Sequence, residues 1–125
     1  MASQAERPER VFKTAWFSRA ARKAKIRDNE LCAAIRQVML GQAVDLGGGV
    51  FKKRLDKNRS RSIILARGGR YWVYEYLFAK KDRENIEDGE LVRFRRIAKA
   101  YEQLTNLQVD QLNRNQDWME ICHDS

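Results

Sequence analysis

Histidine is nearly missing from this chain: His123 is its only one. That scarcity excludes a histidine-ligated metal site, a Ser-His-Asp triad and a two-histidine ribonuclease mechanism, because each needs an imidazole as ligand or proton carrier. Cysteine is scarce too. Cys32 and Cys122 form no CxxC or Cys/His spacing, and Cys32 falls on an apolar helical stripe, so we expect a reducing environment, no disulfide and no structural zinc. Pro8, the single proline, lies in the polar stretch "MASQAERPE" (1–9), which reads as a disordered N-terminus. No run approaches the roughly 18 apolar residues of a membrane span, and residues 1–10 lack the apolar core of a signal peptide. A soluble, cytoplasmic protein is expected.

What the chain does have is positive charge in one place. Its 125 residues carry 25 Lys and Arg against 17 Asp and Glu, a net +8. Between residues 51 and 70 eight bases meet one acid, Asp56, for a net +7. Residues 101–125, with one base and five acids, are net negative. Such a balance implies a polyanionic partner, since Lys and Arg on phosphates release counterions and gain affinity from it. Nucleic acid is the first candidate and an acidic protein segment the second. With 43% hydrophobic residues, the chain can bury one modest core.

The apolar periods place the elements. "RVFKT" (10–14) is short and β-prone, and Thr14 can cap a helix through "AWFSRAARKA", with Trp16, Phe17, Ala20, Ala21 and Ala24 on one face. A second helix starts at Asp28 as N-cap, buries Leu31, Ile35, Val38 and Met39, and stops at Gly41. "VFKKRL" (50–55), "RSIILAR" (61–67) and "YWVYEYLFA" (71–79) have strand composition and are separated by "DKNRS" and "GG". In the last strand, alternation puts Trp72, Tyr74, Tyr76 and Phe78 on one face. "EDGELVRFRRIAKAYEQL" (87–104) is an amphipathic helix, with Arg93, Arg95, Arg96 and Lys99 largely off its apolar stripe. The expected organisation is a disordered 1–9, a domain over 10–107 and an acidic tail, 108–125, with a turn or two of helix.

Two motifs have plain readings. "GGG" (47–49) has no clear preceding strand and no Gly-Lys-Ser/Thr after it, so it reads as a flexible lead-in to a strand, not a phosphate loop. Glu87, Asp88 and Glu90 read as the acidic start of a helix, not as catalytic carboxylates. The basic strands resist such a reading. Alternation puts Lys52 and Arg54 on one sheet face and Lys53 on the other, and a neighbouring strand can bring Arg61 beside the first pair. Like charges there repel unless an anion fills the space between them. A solvated face protected by lysines is the plain alternative. "AKKDREN" (79–85) supplies a second basic cluster.

The progression "FKTAWFSRAARK", "DLGGGVFKKRL", "RSIILA", "FAKKDRENI" and "ELVRFRRIAKAY" resembles the RelE/HigB-type toxins of bacterial type II toxin–antitoxin modules, in the RelE/ParE superfamily, over most of residues 10–105. The resemblance implies an α+β fold in which an N-terminal helical pair packs on a short antiparallel sheet, with a C-terminal helix. It implies a ribosome-dependent mRNA endoribonuclease that inhibits translation, uses no cofactor or metal, and has the ribosome, mRNA and a cognate antitoxin as partners. Carried over position by position, Lys52 and Arg54 would flank the scissile phosphate and Arg61 would neutralise charge developing on it. Lys80, Lys81 or Arg83 would contact the leaving-group side or the RNA backbone, with Lys81 taken as the catalytic member. Lys53, Lys57 and Arg59 join Lys80 and Arg83 as RNA-binding residues. Some relatives use a tyrosine near the second basic cluster; here Tyr74 and Tyr76, on a neighbouring strand, are the candidates.

The chemistry fits such residues. Attack by a ribose 2′-hydroxyl needs proton removal, proton donation to the departing 5′-oxygen and stabilisation of a phosphorane; lysine crowded by cations can take a proton, and arginine offers bidentate phosphate donors. Two rivals use the same scaffold: a ParE-like inhibitor of DNA gyrase, and a nucleic-acid-binding module without catalysis.

Overall fold

The computed structural model describes residues 9–67 and 70–123, apart from the Arg67 side chain; of the N-terminal stretch expected to be disordered, 1–9, it describes only Glu9, and the "GG" turn at 68–69 lies outside the described residues. The chain runs β1 (Arg10–Thr14), α1 (Ala15–Ala24), α2 (Asp28–Met39), β2 (Val44–Gly47), β3 (Val50–Leu55), β4 (Ser60–Arg67), β5 (Tyr71–Ala79), α3 (Asp88–Tyr101), α4 (Asn106–Arg114) and β6 (Trp118–Ile121). The six strands form one sheet in the order β2-β3-β4-β5-β1-β6. β1 runs parallel to β5, and the remaining pairs are antiparallel.

This corrects the expected architecture. The fold is not an N-terminal helical pair on a short antiparallel sheet: among the described residues a strand precedes the helices, the sheet is six-stranded and mixed, and four helices follow the first strand. The parallel pairing arises because α1 and α2 carry the chain away from β1, so that β5 returns beside it in the same direction.

Local chemistry sets the boundaries. The Thr14 hydroxyl accepts the Phe17 amide at 3.0 Å, capping α1, and Lys25 ends it with a left-handed backbone (φ 62°). Asp28 lies inside the first turn of α2, one residue past the N-cap Arg27, where its charge still favours the helix dipole. Gly41, φ 87°, turns the chain after α2. Glu87 and Glu90 form a reciprocal capping box on α3. A strand, β2, does precede "GGG", and these glycines, all at positive φ, make the tight β2–β3 turn beneath Arg95. The turn is therefore fixed in place: a Cβ on Gly48 would sit 2.8 Å from Arg95 Cγ.

Apolar residues collect on both faces of the sheet. On one, Phe17, Ala21, Leu31, Ile35 and Val38 from α1 and α2 pack on Leu55, Ile64, Tyr74 and Leu77. On the other, Phe94 and Ala98 of α3 cover Val50, Ile63, Leu65 and Phe78. Val109 and Trp118 close over Phe12, Tyr71 and Val73. A β-bulge between β4 and β5 overturns the single aromatic face read from the sequence. Ile63 pairs with Tyr76 but Ile64 with Tyr74, leaving Glu75 over. Trp72 and Tyr74 consequently face α1 and α2, and Tyr76 and Phe78 the opposite side.

The C-terminal region holds the expected short helix, as α4, and a strand that was not expected. Past α4 the chain forms β6, which pairs with β1 at the sheet edge remote from β2 and β3. Arg10 binds both Glu120 (2.9 Å) and Asp110 (3.1 Å), and these carboxylates hold its pKa above the ordinary arginine range. The expectation of free thiols is also overturned. Cys32 on α2 and Cys122, just after β6, form a disulfide with Cα atoms 5.5 Å apart. Their separation of 90 residues leaves no local motif by which a sequence could announce the bond.

Candidate nucleic-acid interface

Cross-strand register assembles the predicted site from separate segments. Arg54 on β3 lies directly opposite Arg61 on β4, and Arg61 opposite Phe78 on β5. One rung along the same face, Lys52, Ile63 and Tyr76 stand in line. Directly opposed residues hold their Cβ atoms about 5 Å apart, so two guanidinium-bearing stems rise side by side with a lysine next along the strand. No carboxylate of the described residues forms an ion pair with Lys52, Arg54 or Arg61.

Arg61 is the unusual member. It is only 8% exposed, and its Nη1 donates to the carbonyls of Asn58 (3.1 Å) and Ser60 (3.2 Å). A buried cation satisfied only by neutral carbonyls remains uncompensated in charge, and an anion placed beside it is strongly favoured. Arg54 stays exposed. Lys52 Nζ donates to Asn85 Oδ1 at 3.2 Å, which aims it toward the β5–α3 loop.

Arg83 closes this side of the face. Its guanidinium is gripped by Glu90, donates from Nε to the Asn85 carbonyl (3.0 Å), reaches the Tyr76 hydroxyl at 3.5 Å and lies 5.4 Å from the Phe78 ring. The Arg83–Glu90 contact pushes the Arg83 pKa up and the Glu90 pKa down. Of the two tyrosines left open by the sequence, Tyr76 borders the cations. Tyr74 is buried on the opposite side, where its hydroxyl donates to the Leu31 carbonyl (2.7 Å).

The other predicted residues lie elsewhere. Lys53 points to the far side of the sheet, where Nζ donates to the Gln42 carbonyl (3.1 Å), and burial, helped by Arg54, lowers its pKa. Lys57, Arg59, Lys80 and Lys81 gather at one end of the sheet, around a groove of about 760 Å³ formed with Asp56, Asn58 and Ala24. The Lys80 amide donates to the Arg59 carbonyl (2.8 Å), joining the β3–β4 turn to the chain leaving β5. Arg59 is tied to Asp56 at 3.0 Å, whereas Lys80 and Lys81 are exposed. The nine residues therefore divide into a sheet-face set, an end-groove set and Lys53 alone.

Trp16 shares the apolar face of α1 expected from the sequence but not the burial of its neighbours. It is 45% exposed and stacks on Tyr76 with centroids 5.0 Å apart at 22°. Its neighbour Phe17 is fully buried. The signal was present in "AWFSRA": adjacent helical residues point about 100° apart, so Trp16 and Phe17 cannot both sit at the centre of one buried stripe.

Paired arginines on a sheet face of an α+β domain, one of them buried and without a carboxylate partner among the described residues, have the chemistry to accept a phosphate. The chain belongs to the RelE toxin family: the family model described as the RelE toxin of the RelE/RelB toxin–antitoxin system matches residues 9–121. That match extends past residue 105 through β6, and membership implies a RelB-type antitoxin as partner. No curated protein and no solved structure matches the chain. Among the described residues, no helix is long and apolar enough to cross a membrane.

Proposed function

We propose that the protein is a ribosome-dependent mRNA endoribonuclease whose sheet face binds the scissile phosphate through Arg54 and Arg61. The observation that carries this reading is the Arg54–Arg61 cross-strand pair, with Arg61 buried and without a carboxylate partner among the described residues. The 2′-oxygen of the ribose attacks phosphorus and its proton passes to a base. The P–O5′ bond breaks, and the 5′-oxygen takes up a proton, leaving a 2′,3′-cyclic phosphate and a 5′-hydroxyl. Arg54 and Arg61 stabilise the phosphorane, which carries more negative charge than the ground state. Lys52, aimed across the face by Asn85, is the group for proton transfer. Lys81 and Lys80, with Lys57 and Arg59, track the RNA backbone beyond the cut. Arg83, already neutralised by Glu90, positions Tyr76. Family membership supports the toxin role.

Primer extension on a defined mRNA, incubated with purified protein with and without programmed ribosomes, tests this. Ribosome-dependent cuts within codons are expected. Arg54→Ala, which alters an exposed residue, should reduce them by at least about a hundredfold, the order of effect seen when a single transition-state donor is removed. Arg61→Ala should do the same and relieve growth arrest. Intact RNA in both reactions would refute cleavage and favour gyrase as the target.

A further inference from the structure

The sheet face explains how a phosphate is held, but not what its exposed aromatic neighbour does. Trp16 extends the rung of Lys52, Ile63 and Tyr76 by one strand, because its ring lies on Tyr76 and Tyr76 in turn contacts Phe78 at 6.0 Å. One face of the indole is covered; nearly half of the residue remains in solvent. A large aromatic left so exposed beside unpaired cations costs hydration free energy in the free protein and gains from being covered.

The groove beside it has the composition that a nucleotide requires. Trp16 heads one wall of a depression of about 480 Å³, the α1 face that Arg19, Ala20 and Lys23 continue, and Leu77 and Phe78 of β5 line its other side. That volume falls within the usual range for small-ligand sites. The helical spacing matters: Ala20 and Ala24 keep the wall low, and Arg19 and Lys23 stand one and two turns along from the indole. Both are exposed, and neither makes an ion pair among the described residues. From β4, where Arg61 sits, to β1, which leads into Trp16, is two strand spacings, roughly 10 Å, a span that an extended dinucleotide covers.

We propose that Trp16 is a base-stacking residue: a nucleobase adjacent to the phosphate on Arg54 and Arg61 lies against the free face of the indole, with the next phosphate on Arg19 and Lys23. The inference rests on the RNA reading above and names the part of the substrate that this second surface takes. Stacking on an indole is tolerant of base identity, so it supplies affinity and register along the strand in place of a sequence code.

The test is equilibrium binding of a short 2′-O-methyl oligoribonucleotide, which cannot be cleaved, to the full chain, read by tryptophan fluorescence and by anisotropy of a labelled strand. Trp118 is buried and Trp72 packs with Phe51 on the opposite side of the sheet, so quenching on binding is expected to come largely from Trp16 and to be lost in Trp16→Phe. Trp16→Ala should weaken binding roughly five- to 150-fold while leaving the slope of log affinity against log salt unchanged, because no charge is removed. Arg19→Ala with Lys23→Ala should lower the magnitude of that slope by about 1.4, roughly 0.7 for each phosphate contact on a single strand. Trp16→Phe, which keeps a ring, should recover most of the affinity and controls for folding. Unchanged affinity and no quenching in an otherwise competent RNA binder would overturn the stacking proposal alone. No binding by the intact chain would overturn it together with the RNA reading. An acidic peptide that binds in a Trp16-dependent way, with RNA affinity indifferent to Trp16→Ala, would assign the groove to a protein partner instead.

Discussion

Glu75 shows how one residue can carry both a defect and a constraint. It is the extra residue of the β5 bulge, and its carboxylate accepts the Tyr101 hydroxyl at 2.8 Å. Burial raises its pKa and outweighs that bond, while the Tyr101 pKa is raised by burial and by Glu75 itself. A carboxyl whose pKa is higher folded than unfolded takes up protons on folding, so its contribution to stability is complete below the ordinary glutamate range and is lost as pH rises through the folded value. Glu75→Gln, which keeps an acceptor for Tyr101 and removes the buried charge, should therefore stabilise the protein at neutral pH. The gain should vanish below about pH 4, as urea unfolding at several pH values will show. A gain independent of pH would mean that the charge is not its source.

At the scale of elements, the β3–β4 turn is the most strained segment. Asp56, Lys57 and Asn58 all have positive φ, at 56°, 51° and 72°. Asp and Asn accept this conformation readily, but lysine does not. Lys57→Gly should stabilise the fold by about 0.5–1 kcal/mol, part of the relief being offset by the freer unfolded chain, and raise the Tm by roughly 2–5 °C. If Lys57 meets RNA as proposed, the same change lowers the salt slope of binding by about one. The strands on either side were legible because "VFKKRL" and "SIILAR" combine β-branched residues with turn-prone flanks. The bulge was not, because alternation in "YWVYEYLFA" continues unbroken through Glu75 and only pairing reveals the slip. β6 was missed for a related reason: "WMEI" is too short to show a period, and its place comes from β1, more than a hundred residues earlier. Lys52, Arg54 and Arg61 could be put on one face from alternation alone, but the burial of Arg61 depends on carbonyls in a turn that no period encodes.

The whole molecule is held at its ends. β1 and β6 pair with each other, Arg10 binds two carboxylates of the C-terminal region, and the 32–122 disulfide ties α2 to the residue after β6. A bond closing so long a loop is worth about 4 kcal/mol through restriction of the unfolded chain. Cys122→Ser should lower unfolding free energy by that order in denaturant titrations. Added dithiothreitol should bring the parent chain to the same value and leave the variant unmoved. Equal stability of the two under oxidising conditions would show that the bond contributes nothing. Asp110 and Glu120 are thus engaged by Arg10 at the edge remote from the basic face.

The parallel pairing of β1 with β5 also sets a timetable. During synthesis β1 is made first, yet its two neighbours in the sheet begin at Tyr71 and Trp118. At the usual 5–20 residues per second, the wait for each is several seconds. Until then Val11 and Phe12, both buried in the finished sheet, have no sheet partners. The disulfide cannot form before residue 122 has been added, after every strand of the sheet has been made. A nascent chain halted before β6 lacks one of the two sheet neighbours of β1, so the burial of Val11 and Phe12 waits on residues made more than a hundred positions later.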